Sequence, residues 1–152
     1  MIARRHPLLV GAEPGLGAAV ARRFASRGYR VTLIARSRDR LGELASNLVD
    51  TGAEINTIAA DVSDPDSFGA RMIERYGTDG ASPGVAICNA VMGALDRLLK
   101  STVVRLQEAY TVDVIGAIVV AQSAAPAPTT MYSYCALSDA QESRRDLLCR
   151  SS

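Results

Sequence analysis

Hydrophobic and polar positions form two kinds of stretch along this chain. Short runs of consecutive apolar residues alternate with longer stretches in which apolar residues recur every three or four positions. The runs are typical of strands buried on both faces of a sheet, and the longer spacing is typical of amphipathic helices. Strands are predicted at residues 7–11, 29–35, 53–61 and 85–90. Because helices are predicted between them, the pattern indicates an α/β fold with a parallel sheet.

Four helices are predicted, one after each strand. The first places Leu16, Val20 and Phe24 four residues apart, which predicts that these side chains form its buried face. The last is predicted to run from 101 to 125, until Pro126 stops it. After this proline the pattern changes, and no further strand is predicted.

Length and composition restrict the class of protein. A chain of 152 residues is predicted to form one domain, and 48% hydrophobic with 22% charged residues is typical of a soluble globular protein. The net charge of +1 favours neither nucleic acid nor membrane as a partner. The longest apolar run, VIGAIVVA, is far shorter than the ~20 residues that span a bilayer. We therefore expect a cytoplasmic protein.

Metal chemistry is not predicted. The three cysteines are widely spaced and form no Cys-x-x-Cys pair, and His6 is the one histidine. Next to Pro7 near the chain start, His6 is expected to be exposed and without function.

A glycine-rich turn is the first candidate for chemistry. In VGAEPGLG, Gly11, Gly15 and Gly17 lie between the first strand and the first helix. The N–H groups at a helix N-terminus bind phosphate, and glycines allow the backbone to approach it closely. The strict Gly-x-Gly-x-x-Gly fingerprint is absent, and glycines also occur in ordinary strand-to-helix turns. Alone, the turn leaves both interpretations open.

Later motifs favour a dinucleotide. The second strand ends at Arg36, where a fold that binds NAD carries an acidic residue for the ribose 2'-hydroxyl, so arginine favours the 2'-phosphate of NADP. Three more motifs follow in order: ADVSD at 60–64, CNAVMG at 88–93 and VDVIG at 112–116. Over residues 6–126 this ordered set resembles the short-chain dehydrogenase/reductase family.

The resemblance implies a Rossmann-type, doubly wound parallel sheet that binds NADP, with NAD the less favoured cofactor. It places the pyrophosphate at Gly11, Gly15, Leu16 and Gly17, the 2'-phosphate at Arg36 and Ser37, the adenine edge at Asp61 and Val62, and the adenosine-side ribose at Asn89 and Ala90. Arg38 is a second candidate for binding the 2'-phosphate. The alternative is that Arg38 is a solvated charge on the surface of a helix. The family also suggests self-association through the 101–125 helix.

The chain departs from the family where catalysis would occur. Asp113 stands in place of the family's catalytic asparagine, and the sequence has no Tyr-x-x-x-Lys pair. No fifth strand is predicted, which would leave the fourth with an unpaired edge. We therefore expect a partial NAD(P)-binding domain over 1–126, truncated after about four strands, and an irregular or weakly helical tail over 127–152.

Two functions remain open from the sequence. One is an NADP-preferring oxidoreductase of the short-chain type, incomplete and inactive as this chain alone, with no catalytic residue assigned. The other is a non-catalytic dinucleotide-binding or regulatory module.

Overall fold

The residues that the structure describes form a parallel sheet of five strands with the order β3-β2-β1-β4-β5. The computed structural model describes residues 6–76, 83–92, 100–124 and 130–133. The strands are β1 (Pro7–Val10), β2 (Val31–Ala35), β3 (Ile55–Ala59), β4 (Val85–Cys88) and β5 (Thr130–Ser133). The helices are α1 (Leu16–Ala25), α2 (Arg38–Ser46), α3 (Pro65–Tyr76), α4 (Val103–Tyr110) and α5 (Gly116–Ala124), and a π-helical turn, Thr111–Ile115, joins the last two.

Two hydrophobic layers cover the two faces of the sheet. Neighbouring residues of β1 point in opposite directions, so Leu8 packs in one layer and Leu9 in the other, each 1% exposed. The first layer contains Phe68 and Met72 of α3, and the second contains Leu41 of α2. This is the doubly wound Rossmann-type arrangement that the motifs imply. Every residue of β1 and β2 is buried, which confirms the interpretation of the apolar runs.

The sheet register brings the ends of the central strands together. Val10 lies opposite Ile34 of β2 on one side and opposite Cys88 of β4 on the other. The chain moves outward from β1 to β2 and β3, and then returns to the other side of β1 with β4. Because the strand order reverses between β1 and β4, a crevice opens there outside the carboxyl ends of the strands.

The expectation that β4 has an unpaired edge is wrong. β5 pairs with it in parallel, with Thr130 opposite Val85 and Ser133 opposite Cys88. The sequence TMYS has no continuous apolar run, but β5 is the outermost of the described strands, and a strand in that place is held by backbone hydrogen bonds, which any sequence without proline can make. The sheet therefore continues past four strands. The weak helical pattern of the tail lies outside the described residues.

The buried face of α1 differs from the predicted one. Leu16 is 45% exposed, and the buried residues are Gly17, Ala21 and Ala25. Small side chains let the helix lie close to the sheet, so the tightest contact falls on them rather than on the large apolar residues. Val20 and Phe24 pack only at the margin of the core.

The predicted long helix at 101–125 is confirmed as α4, the π-helical turn and α5.

His6 is a buried residue, so the expectation that it is exposed is wrong. It is 5% exposed, and its ring stacks on Tyr76 at a centroid distance of 5.8 Å. Burial, together with the positive charges of Arg30 and Arg75, lowers the pKa of His6. The folded protein therefore favours the neutral imidazole, because protonation would place a charge in a buried position.

Candidate functional site

A cleft of about 790 Å³ opens at the carboxyl ends of the strands, where the strand order reverses. Its size is typical of a small-molecule or cofactor site. The lining residues come from the ends of β1, β2, β3 and β4 and from α4 with the π-helical turn that follows it. They include Gly11, Glu13, Leu16, Arg36, Asp61, Val62, Asn89, Ala90, Met92, Arg105, Glu108 and Val112.

Two glycines of the turn are required by close backbone packing. Gly11 has φ +83°, and a Cβ on it would lie 2.4 Å from the backbone nitrogen of Ala90. A Cβ on Gly17 would lie 2.5 Å from the carbonyl oxygen of Gly11. These contacts leave no room for a side chain on either glycine, because the backbones of the turn, α1 and the end of β4 approach one another closely.

Gly15 has a different reason to be glycine. Its φ of +101° is strained for other residues, yet a Cβ there would have no atom within 4 Å. The space beside it is therefore open. Gly15 immediately precedes α1, whose first helical hydrogen bonds are donated by Ala18 to Glu13 and by Ala19 to Gly15, both at 3.0 Å. The earlier N–H groups of the helix have no acceptor within it, so the open space beside Gly15 fits a phosphate group.

Both neighbouring strands anchor the glycine turn. The backbone N–H groups of Gly11 and Ala12 donate to the Ile34 carbonyl of β2, at 2.9 and 3.1 Å. On the other side, the Asn89 amide Nδ2 donates to the Gly11 carbonyl at 3.1 Å. Asn89 therefore holds the turn in place. Its predicted position beside a ribose stays a prediction.

Another part of the cleft wall combines a polar and an apolar residue. The Asp61 Oδ1 accepts a hydrogen bond from the Ser63 backbone at 2.9 Å. Val62 is 6% exposed and meets Gly116 of α5 so closely that a Cβ on this glycine would lie 2.3 Å from the Val62 Cγ2. Val112 also lines the cleft.

Asp113 has a structural partner. It lies half-buried in the π-helical turn, and its Oδ1 accepts a hydrogen bond from the Met92 backbone at 2.9 Å. The contact joins the segment after β4 to the helix. A carboxylate can make it as well as an amide, because only an acceptor is needed.

Charged side chains surround the cleft. Arg36 is exposed and lines it, whereas Ser37 caps α2 by accepting the Arg40 N–H at 3.3 Å. The Arg40 Nη1 lies 2.9 Å from the Glu13 Oε2, so an ion pair joins the glycine turn to α2. Sequence reasoning missed Glu13 in the cleft wall, although an acidic residue inside a candidate phosphate loop was a visible signal.

The structure brings most of the predicted site residues together. Seven of the ten line the cleft: Gly11, Leu16, Arg36, Asp61, Val62, Asn89 and Ala90. Gly15 and Gly17 belong to the adjoining turn and the start of α1, and Ser37 lies behind Arg36 as the cap of α2. Within the described residues, no group of three His, Cys, Asp or Glu side chains is arranged to hold a metal ion.

A glycine-rich turn at the reversal point of a doubly wound parallel sheet defines a Rossmann-type, dinucleotide-binding class of protein. The family model described as short chain dehydrogenase matches residues 5–132. The chain belongs to the short-chain dehydrogenase family, whose members are oxidoreductases that use NAD(P).

Relatives and solved structures are similar over most of this chain. The 3-dehydrosphinganine reductase TSC10A of Arabidopsis thaliana is 32% identical over 127 residues, which are 83% of this chain and 37% of the relative. The alcohol dehydrogenase of Thermococcus sibiricus, complexed with 5-hydroxy-NADP, is 31% identical with a TM-score of 0.68, over 79% of this chain and 51% of that chain.

A short-chain dehydrogenase of Sphingobium yanoikuyae in complex with NADPH is 31% identical with a TM-score of 0.70, over 80% of this chain and 47% of that chain. The chain thus spans about half the length of these two solved structures. Among the described residues, no helix has the length and apolar character needed to cross a membrane.

Proposed function

We propose that this chain is the cofactor-binding part of an NADP-preferring oxidoreductase of the short-chain type, and that alone it binds the dinucleotide without turning it over. The observation that carries the proposal is the glycine turn: Gly11 and Leu16 line the cleft together with Arg36, and Gly15 between them borders open space at the start of α1. Two similar structures, from T. sibiricus and S. yanoikuyae, contain NADP-type cofactors, which supports the choice of NADP.

Each part of the cofactor has a complementary group in the cleft. The pyrophosphate would lie against the backbone N–H groups at Gly15, Leu16 and Gly17, where the helix dipole favours negative charge. The adenine edge would lie against the cleft wall at Asp61 and Val62.

The two ribose groups and the 2'-phosphate would occupy the remaining parts of the wall. Asn89 and Ala90 would border the adenosine-side ribose, and Arg36 would pair with the 2'-phosphate beside Ser37 and the N-terminus of α2. The bound nicotinamide ring would supply or accept a hydride.

Hydride transfer in this family also requires a proton donor. The resemblance assigns this role to a tyrosine whose pKa is lowered by a lysine four residues later, but Lys100 is the one lysine of the sequence and Asp96 precedes it by four. Asp113 is hydrogen-bonded to the Met92 backbone rather than placed as an acid or base. The proposal therefore assigns no catalytic residue to this chain.

Titration of the full 152-residue chain with NADPH and NADH tests the proposal. We expect NADPH to bind about tenfold to a hundredfold more tightly than NADH, since one charge-assisted contact to the 2'-phosphate contributes about 1.5–3 kcal/mol. In the same samples, the absorbance of NADPH is expected to stay constant when ketones and aldehydes are added. Absence of binding by either dinucleotide, or clear consumption of NADPH, would contradict the proposal.

An exposed apolar stripe supports self-association through the helices at 103–124. Leu106, Tyr110, Val114 and Ile118 are four residues apart and 39%, 58%, 38% and 51% exposed. We propose that two copies of the chain pack these stripes together, because contiguous apolar surface of this kind marks an interaction site. Sedimentation of the wild type should reveal a dimer, and Tyr110→Glu should yield monomers. A wild type that stays monomeric at high concentration contradicts this contact.

A further inference from the structure

An ion pair of opposite charges lies at the rim of the cleft. The Glu13 carboxylate belongs to the glycine turn, and the Arg40 guanidinium comes from the first turn of α2. Their contact distance is 2.9 Å, and the two side chains are 34% and 62% exposed. Glu13 itself lines the cleft. A carboxylate in a loop that is shaped for phosphate calls for a physical explanation, since it repels the group that the loop attracts.

The ion pair lies beside the proposed 2'-phosphate position, and the inference rests on the proposed function. The glycine turn is hydrogen-bonded to the Ile34 carbonyl of β2, and Arg36 lies two residues after Ile34, directly after the strand ends. Glu13 and Arg36 line the same cleft. A phosphate paired with Arg36 and facing the N-terminus of α2 would therefore approach both members of the Glu13–Arg40 pair.

We infer that Glu13 contributes to cofactor specificity. Its carboxylate lowers the affinity for NADP(H) and leaves that for NAD(H) nearly unchanged, so the preference for NADP(H) is smaller than it would be with a neutral side chain at this position. A 2'-phosphate competes with the Glu13 carboxylate for the Arg40 guanidinium. If Arg40 pairs with the phosphate, the Glu13 carboxylate has no counter-charge and lies beside a dianion. If Arg40 keeps its contact with Glu13, the phosphate has one cation fewer to pair with. NAD(H) has no such conflict, because its 2'-hydroxyl can donate a hydrogen bond to the carboxylate while Arg40 keeps its partner.

The affinities of 2',5'-ADP and 5'-AMP for the 152-residue chain test this inference. These two probes differ only by the 2'-phosphate, and both represent the adenosine end of the cofactor. In calorimetric titrations, Glu13→Gln is expected to bind 2',5'-ADP about three- to tenfold more tightly than the wild type does, since one exposed like charge is removed. Its affinity for 5'-AMP should change by less than about twofold or fall slightly. Arg40→Gln should weaken 2',5'-ADP binding about threefold.

Two matched variants control for general changes of charge. Asp50→Asn removes an exposed carboxylate whose partner, Arg22, lies 3.0 Å away on α1, outside the cleft. Arg27→Gln removes an exposed cation that follows the C-terminal end of α1, at the other end of this helix from the glycine turn. Each control should leave the ratio of the two affinities within about twofold of the wild type, because exposed charges outside the cleft are screened by water.

The outcomes separate this inference from the proposed function. A wild type that binds neither probe nor NADPH contradicts both. A wild type that prefers 2',5'-ADP, with a Glu13→Gln variant of equal or lower 2',5'-ADP affinity, overturns the role of Glu13 and leaves the proposed function standing. Thermal melts verify folding, and Glu13→Ala replaces the glutamine variant if that variant unfolds.

Discussion

Replacing Gly11 by alanine is expected to lower the free energy of unfolding by about 3–5 kcal/mol and to abolish dinucleotide binding. The φ of +83° at this position is strained for any residue with a Cβ. The added methyl would also lie 2.4 Å from the Ala90 backbone nitrogen and 2.5 Å from the Asn89 carbonyl carbon. Both atoms belong to the backbone, so the turn or the end of β4 must move. The glycine turn then loses the shape that binds the dinucleotide.

Denaturant titration of both proteins measures this loss, with NADPH titration on the fraction that remains folded. Gly42→Ala is the matched control, because Gly42 lies within α2 and a Cβ there would have no atom within 4 Å. That substitution should raise stability by up to about 1 kcal/mol, the difference in helix propensity between the two residues. Equal stability of Gly11→Ala and the wild type would show that β4 does not approach the turn as described.

Replacing Arg36 by methionine is expected to weaken NADPH binding about tenfold to a hundredfold and to leave NADH binding nearly unchanged. Methionine keeps much of the side-chain length but removes the charge that would pair with the 2'-phosphate. Arg36 is exposed, so the stability of the variant should stay within about 0.5 kcal/mol of the wild type. The preference of the wild type for NADPH should also weaken as salt is added, because the contact is partly solvated.

Parallel titrations of Arg36→Met and Arg38→Met with both dinucleotides measure the effect. Arg38 lies two residues further along, at the start of α2, and should behave like the wild type if it is only a solvated charge. An equal loss of NADPH and NADH affinity in Arg36→Met would show that the side chain supports the cleft as a whole rather than the 2'-phosphate.

The alternation of strand and helix could be predicted because burial on both faces of a parallel sheet demands continuous apolar runs. β1 to β4 lie within the predicted ranges 7–11, 29–35, 53–61 and 85–90, and no predicted end differs from the observed one by more than two residues. In α3 the apolar residues that lie four positions apart, Phe68, Met72 and Tyr76, are buried, as this spacing predicts. Residues that follow parallel strands meet at one edge, which is why the motif residues of the turn, β3 and β4 share a cleft.

Several features could not be found in this way. β5 is held by backbone pairing with β4 and carries no apolar run. His6 precedes the first strand and looks like a polar end residue, but its ring stacks on Tyr76 of α3. On α1 the small residues Ala21 and Ala25 are buried rather than the larger ones, because closeness to the sheet decides the contact.

The sequence by itself determined where the first four strands lie along the chain, and it located the glycine turn and the arginine that follows the second strand. Local periodicity and motif spacing are enough to predict these features. Only the tertiary structure decided which distant groups meet: Glu13 with Arg40, Asn89 with the Gly11 carbonyl, and Asp113 with the Met92 backbone. Such contacts depend on sheet register and on how closely helices pack, and these are properties of the whole fold that no single stretch of residues encodes.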